Sequence, residues 1–118
     1  MKHHKSTRKF GREKDVRNAL IKGLALSLII HGGIKTTEAK AKELRPFIEK
    51  LITRAKKDSV ANRRIVAAHL GNRSEEIKKL FEEIAPSFKE RAGGYTRILK
   101  FPARKSDGAS LAAIEFVQ

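Results

Sequence analysis

The hydrophobic period of this chain changes once, at Ala92-Gly-Gly94. Upstream of it apolar residues recur at three- and four-residue steps; downstream, Tyr95–Phe101 and Leu111–Val117 read as strands joined by the Pro/Gly/Ser-containing stretch 102–110. A long-looped antiparallel hairpin is expected there, and two strands alone are marginal in water, so they must pack on the helices. The fold class is therefore α+β, with four to five helices packed on a small two- or three-stranded sheet. Ile34–Thr36 is the candidate third strand.

The helices can be placed from their apolar spacing and punctuation. From Glu13 to Ile30, positions such as Val16, Leu20, Leu24 and Leu28 give a buried central helix that Gly32-Gly33 stops. Thr36 or Thr37 followed by Glu38 starts a second, whose apolar face is Leu44, Phe47, Ile48, Leu51, Ile52 and Ala55; Pro46 should kink or restart it. Asp58 or Ser59 caps a third, short helix through Val60–Leu70 that Gly71 closes. Asn72 or Ser74, with Glu75 and Glu76 in the first turn, opens a fourth bearing Ile77, Leu80, Phe81 and Ile84, and Pro86 ends it or begins a further turn with Phe88.

Charge narrows the function. The chain has 118 residues with 27 Lys+Arg against 13 Asp+Glu, a formal charge of +14. Such a chain repels itself unless something anionic surrounds it, and nucleic acid is the commonest such partner. The excess is densest at the start, where residues 1–17 hold seven Lys/Arg against two acids and almost nothing for a core. Residues 1–12 are accordingly read as a basic N-terminal arm and residues 13–118 as a single α+β domain. Lys2, Lys5, Arg8, Lys9, Arg12, Lys14 and Arg17 are spaced so that several can meet phosphates at once. If about six phosphates were neutralised, affinity would fall roughly a thousandfold between 50 and 200 mM salt.

Other classes find little support. Zero cysteines exclude a disulfide framework and a thiolate metal site, and fit the cytoplasm. The apolar run Gly23–Ile30 is far short of a membrane span and is followed by no small-residue cleavage site, so neither membrane nor secretion is expected. His3-His4 makes a poor metal constellation and fits phosphate contact or stacking on an unpaired base better; no metal or other cofactor is expected. His31 and His69 lie near helix C-termini, where capping suffices. There is no Walker pattern, dinucleotide fingerprint or triad, hence no enzyme and no small-molecule substrate. Six Phe, one Tyr and no Trp argue against a broad base-stacking platform.

Three further sets of candidate contacts lie in the folded part. Asn62, Arg63 and Arg64 fall in a first helical turn, where the dipole and two guanidinium groups share a sign. Gly93 and Gly94 leave room for a nucleic-acid backbone to approach peptide N–H groups, although a tight turn explains them equally well. Arg91, Arg97, Lys100, Arg104 and Lys105 around that turn favour contact. The segment Glu75–Glu90 carries more acid than base and should face away from nucleic acid.

Six collinear segments resemble one family. Met1–Phe10, Ile34–Thr37, Lys40–Arg45, Asp58–Arg64, Arg91–Lys100 and Ser106–Val117 are similar, in order and spacing, to segments of the seventeenth large-subunit ribosomal protein of bacteria. The resemblance covers essentially the whole chain; His4 stands where Arg is frequent, and Gly32-Gly33 where residues vary more. It implies a non-catalytic α+β protein bound to large-subunit ribosomal RNA, beside neighbouring large-subunit proteins, on the solvent side toward the polypeptide exit region. The RNA-facing parts it implies are the arm (Lys2, His3, His4, Lys5, Ser6, Arg8, Lys9, Arg12), the helix start with Lys35, Thr36 and Thr37, the Asn62–Arg64 turn, and the strand entered through Gly93, Gly94 and Tyr95.

The expected function is thus a structural ribosomal RNA-binding protein that neutralises phosphates across RNA segments, its arm ordering only with RNA. The rival is a chromosome-associated DNA-binding protein using the Gly71-Asn72 turn as a helix-turn-helix. It would need charge concentrated on one recognition helix, whereas the cations here are spread over arm, turns and strand.

Overall fold

A computed structural model describes residues 14–117. Helix α1 (Lys14–His31) leads into strand β1 (Gly33–Thr37), and α2 (Glu38–Ala55) and α3 (Val60–Leu70) follow. A last helical run comprises α4 (Ser74–Lys79), a π-helical turn (Leu80–Ile84) and α5 (Ala85–Ser87), before strands β2 (Thr96–Phe101) and β3 (Leu111–Phe116). The strands form one antiparallel sheet in the order β1-β3-β2. The α+β class, the hairpin and the third strand follow the sequence pattern.

The sheet is half-buried because β3 alternates. Ala112, Ile114 and Phe116 point into the core, while Leu111, Ala113 and Glu115 face outward. Register extends the rows: Ile34 and Ile98 flank Ile114 on the inner face, and Lys35 and Leu99 flank Ala113 on the outer. Gly33 sits in a close approach: a Cβ there would lie 3.2 Å from the Cβ of Glu115, which would have to give by a few tenths of an ångström.

Helix α2 packs on all three strands and on α1, α3, the π-helical turn and α5. Its buried residues, Ala41, Leu44, Ile48, Leu51, Ile52 and Ala55, fall at three- and four-residue steps. This corrects the expectation that the first helix is central. Among the described residues only the second half of α1 is buried, through Ala25, Leu26, Leu28 and Ile29, and Val16 is 51% exposed. Helical spacing reveals a face but not the extent of the surface that covers it.

The boundaries follow local chemistry with two corrections. Thr37 caps α2, its hydroxyl accepting from the Lys40 N–H at 3.3 Å, and Ser59 caps α3 by accepting from the Asn62 N–H at 3.1 Å. Gly71, at φ +79°, closes α3, and the N–H groups of Gly71 and Asn72 both reach the Ala67 carbonyl. First, Pro46 does not restart α2, which is one helix over Glu38–Ala55; apolar burial on both sides of the proline outweighs the lost donor. Second, the cap of α4 is Arg73, with no side-chain hydrogen bond, because Asn72 is spent in a left-handed turn at φ +58°. Pro86 takes the second of its two expected courses, beginning a further turn, α5, that Phe88 caps; it is preceded by a π-helical turn in which the Ala85 N–H reaches back to the Leu80 carbonyl. That wider turn shifts the ladder just before the residue that has no N–H to give.

A polar seam holds the hairpin to α2. The Glu49 carboxylate accepts from the Thr96 N–H at 3.0 Å and its hydroxyl at 2.8 Å, while the Tyr95 hydroxyl lies 3.1 Å from both the Thr53 hydroxyl and Lys56 Nζ. Tyr95 is 0% exposed and packs on Phe88, centroids 5.1 Å apart.

Two substitutions test this packing. Ile114→Ala, at the centre of the inner face, is expected to cost about 3 kcal/mol in denaturant unfolding, the usual range for a buried aliphatic truncation. Ser59→Ala should cost about 1 kcal/mol, the worth of a helix cap, and leave the sheet intact.

Candidate nucleic-acid interface

The exposed side of α2 is cationic by the same periodicity that makes its other side apolar. Lys50 and Arg54 stand four residues apart and share that face, and Lys57 follows just past the helix end at Ala55. They line a cleft of about 790 Å³ together with Asn62 and His69 from α3 and Gly93 from the turn into β2. The acid in its lining, Glu49, is engaged by Thr96 and lies 3.6 Å from Arg45, leaving the cations of the cleft unneutralised by it. A second cleft, of about 550 Å³, adjoins the first across Pro46, Lys50 and His69 and adds Asn18 and Lys22 of α1 and the acid Glu43 of α2.

Several side chains fix the cleft walls. Asn62 donates to the Lys57 carbonyl at 2.7 Å and lies 3.5 Å from Arg54 Nη1, joining α3 to the end of α2. The His69 ring meets Phe47 edge to face, centroids 6.1 Å apart. Lys56 donates to the Arg91 carbonyl and so anchors the segment that carries Gly93. Gly94 takes φ +64°, which explains that glycine as a turn requirement, whereas nothing crowds Gly93 and its backbone stays open to the cleft.

The sequence-expected contact residues are distributed over several faces. Lys2, His3, His4, Lys5, Ser6, Arg8, Lys9 and Arg12 lie outside the described residues. Lys14 is the first residue of α1, and Arg17 is half-buried on the same helix with its Nε unbonded among the described residues. Asn62, Gly93 and Tyr95 meet at the main cleft, but Tyr95 is fully buried and shapes the wall from behind. Thr36 is half-buried, and Thr37 serves as a cap. Arg64 is exposed beside a separate groove between α3 and α4. Arg91 and Lys105 are exposed on loops, and Lys35 lies on the outer face of the sheet.

Four expected cations are tied to acids of the chain. Arg63 forms a two-pronged pair with Asp58 at 2.7 and 2.8 Å, approaches Glu82 at 3.7 Å, and stacks over Phe81 at 4.9 Å. Arg97 pairs with Glu115 at 2.7 Å, Lys100 with Glu38 at 3.2 Å, and Arg104 with Asp107 at 3.1 Å. Exposed pairs of this kind contribute little to stability, so they serve mainly to orient the cations. Hydrogen bonds from Lys42 and Lys100 hold the Glu38 carboxyl below its usual range, and Arg63 does the same for Asp58 while its own pKa is raised.

In the sequence Lys50 and Arg54 stand on the polar face of a helix, with Lys57 just past its end, and none of the three is among the expected contacts. Their signal was present in the spacing, but it became specific only when α3 and Gly93 closed the other side of the cleft. Among the described residues no cluster of His, Cys, Asp or Glu could hold a metal, and no helix is long and apolar enough to cross a membrane.

The Asp58–Arg63 pair gives a pH test. Because the folded-state pKa of Asp58 is lowered, the pair's contribution is present above the unfolded aspartate value and is lost as pH falls through the folded one. In an NMR titration Asp58 should protonate below the ordinary aspartate range, and Arg63→Gln should return its midpoint upward.

Comparison with known proteins is consistent along the whole chain. The family model for ribosomal protein L17 matches residues 20–117. A large ribosomal subunit protein bL17 of Persephonella marina is 54% identical, covering 100% of this chain and 96% of the relative. Proteins of the same name from Gemmatimonas aurantiaca and Fusobacterium nucleatum are 52% and 51% identical, each over 99% of this chain. The chain belongs to the ribosomal protein L17 family, a structural and non-enzymatic component of the ribosome.

Proposed function

We propose that this chain is a structural constituent of the large ribosomal subunit in the cytoplasm, binding large-subunit ribosomal RNA mainly through phosphates and abutting neighbouring large-subunit proteins near the polypeptide exit region. Residues 1–12 act as a basic arm and residues 13–118 as the scaffold that holds cations in register. The observation that carries the RNA reading is the main cleft, in which Lys50, Arg54 and Lys57 face outward while Glu49 is held by Thr96. A cation with no acid beside it gains most from a phosphate, because binding there releases counterions without first breaking an ion pair. Arg97, Lys100 and Arg104, away from the cleft lining, are already oriented by acids and can share themselves with a phosphate on their own faces.

The chromosomal alternative has lost its support. Family membership speaks for the ribosome, and the helical run after the Gly71-Asn72 turn carries Glu75, Glu76, Glu82 and Glu83, which would repel DNA phosphates from a recognition helix.

The test is the salt dependence of binding to a short RNA duplex by the full-length chain. Replacing Lys50, Arg54 and Lys57 together with Gln should lower the log–log salt slope by about three, roughly one for each phosphate no longer neutralised, and weaken association with the large subunit in sedimentation. An unchanged slope would remove the cleft from the interface, and a wild-type chain that ignores RNA at low salt would sink the reading.

A further inference from the structure

The outer face of the sheet keeps an apolar patch in water. Leu99 is 44% and Phe101 40% exposed, and as alternate residues of β2 they stand side by side on that face. Leu111 lies directly opposite Phe101 and Ala113 opposite Leu99, so the small side chain of Ala113 leaves a shallow floor beside the ring. Lys35, opposite Ala113 on β1, holds its ammonium 4.8 Å from the Phe101 ring centroid.

Charge selects the occupant. The acid on this face, Glu115, is paired with Arg97 at 2.7 Å. Lys35 has no ion pair among the described residues, so the face keeps a net positive charge. A ligand that matches must present a flat apolar surface and negative charge together, and an unpaired nucleotide does both. A base can stack on an aromatic ring whatever its identity, while its phosphate meets the neighbouring cation. An exposed cation–π contact is weak, so Lys35 can leave the ring for a phosphate.

We infer that the outer sheet face is a stacking site for an unpaired ribonucleotide, with Phe101 carrying the base, Leu99 and Ala113 its floor, and Lys35 the adjoining phosphate. This rests on the RNA-binding reading above but assigns a second site, chemically distinct from the cleft. The cleft serves phosphates of any RNA; this face requires a base free of its partner.

Two probes separate the sites in the full-length chain: a short single-stranded oligouridylate and an RNA duplex. Phe101→Ala should weaken the single strand about tenfold, the scale of one base stack removed, and leave duplex affinity within about twofold and its salt slope unchanged. Phe101→Leu, which keeps apolar bulk but not the flat ring, should lose nearly as much, and Phe101→Trp should retain full affinity. Circular dichroism of each variant controls for folding, Phe101 being at the end of β2 and partly exposed. If Phe101→Leu binds the single strand like wild type, or Phe101→Ala weakens both probes equally, stacking is refuted and the patch is left to a protein neighbour. If the wild-type chain binds duplex but not the single strand, this inference alone falls; binding neither overturns the RNA reading with it.

Discussion

Helix α2 is the element on which the rest depends, because it is covered by apolar contacts from two directions. Leu44, Ile48, Leu51 and Ile52 meet the inner face of the sheet and the flanking helices at once. A helix used in this way has little free circumference. What remains includes Lys50 and Arg54, with Lys57 just past the helix end, so the burial that makes α2 central also determines where these cations emerge. The stiffness of that packing matters electrostatically, since cations held on a rigid helix lose less entropy on meeting phosphates than cations on a loop.

The polar seam at Glu49 links fold and interface. By accepting two hydrogen bonds from Thr96, its carboxylate fixes the start of β2 and is drawn away from the lysines on its own helix. Tyr95 works from the same side, holding Thr53 and Lys56, and Lys56 in turn holds the Arg91 carbonyl ahead of the two glycines. One cluster thus joins strand to helix, leaves the cleft cationic and presents an open backbone at Gly93. Four other acids, Glu38, Asp58, Asp107 and Glu115, each orient a cation without cancelling the surplus of the chain.

Much of the fold was legible in order because its signals are local. Thr37, Ser59, Gly32 and Gly71 punctuate helices through their own backbone and side-chain bonds, and the change of period at Gly93-Gly94 marks the passage to strands. Where sequence and structure part, the causes differ. The restart offered at Pro46 does not occur, because residues on both sides of it are buried by elements far along the chain; Asn72 offered a cap but was taken by the local turn that closes α3. The candidate interface was legible in sign and not in address. Arg63 and Arg97 looked like free contacts; the fold brings Glu82 and Glu115 to them, and Asp58, five residues before Arg63, pairs with it locally.

By itself the sequence determined the class of the fold, the family and the anionic character of the partner, because periodicity, capping residues and net charge are properties of neighbouring residues and of their sum. The tertiary structure alone decided that Arg97 and Lys100 are neutralised by Glu115 and Glu38, that Tyr95 is a buried pillar, and that Phe101 stands in water beside Lys35. Those outcomes turn on distances between residues remote in the chain, and packing sets such distances after the local rules have been satisfied.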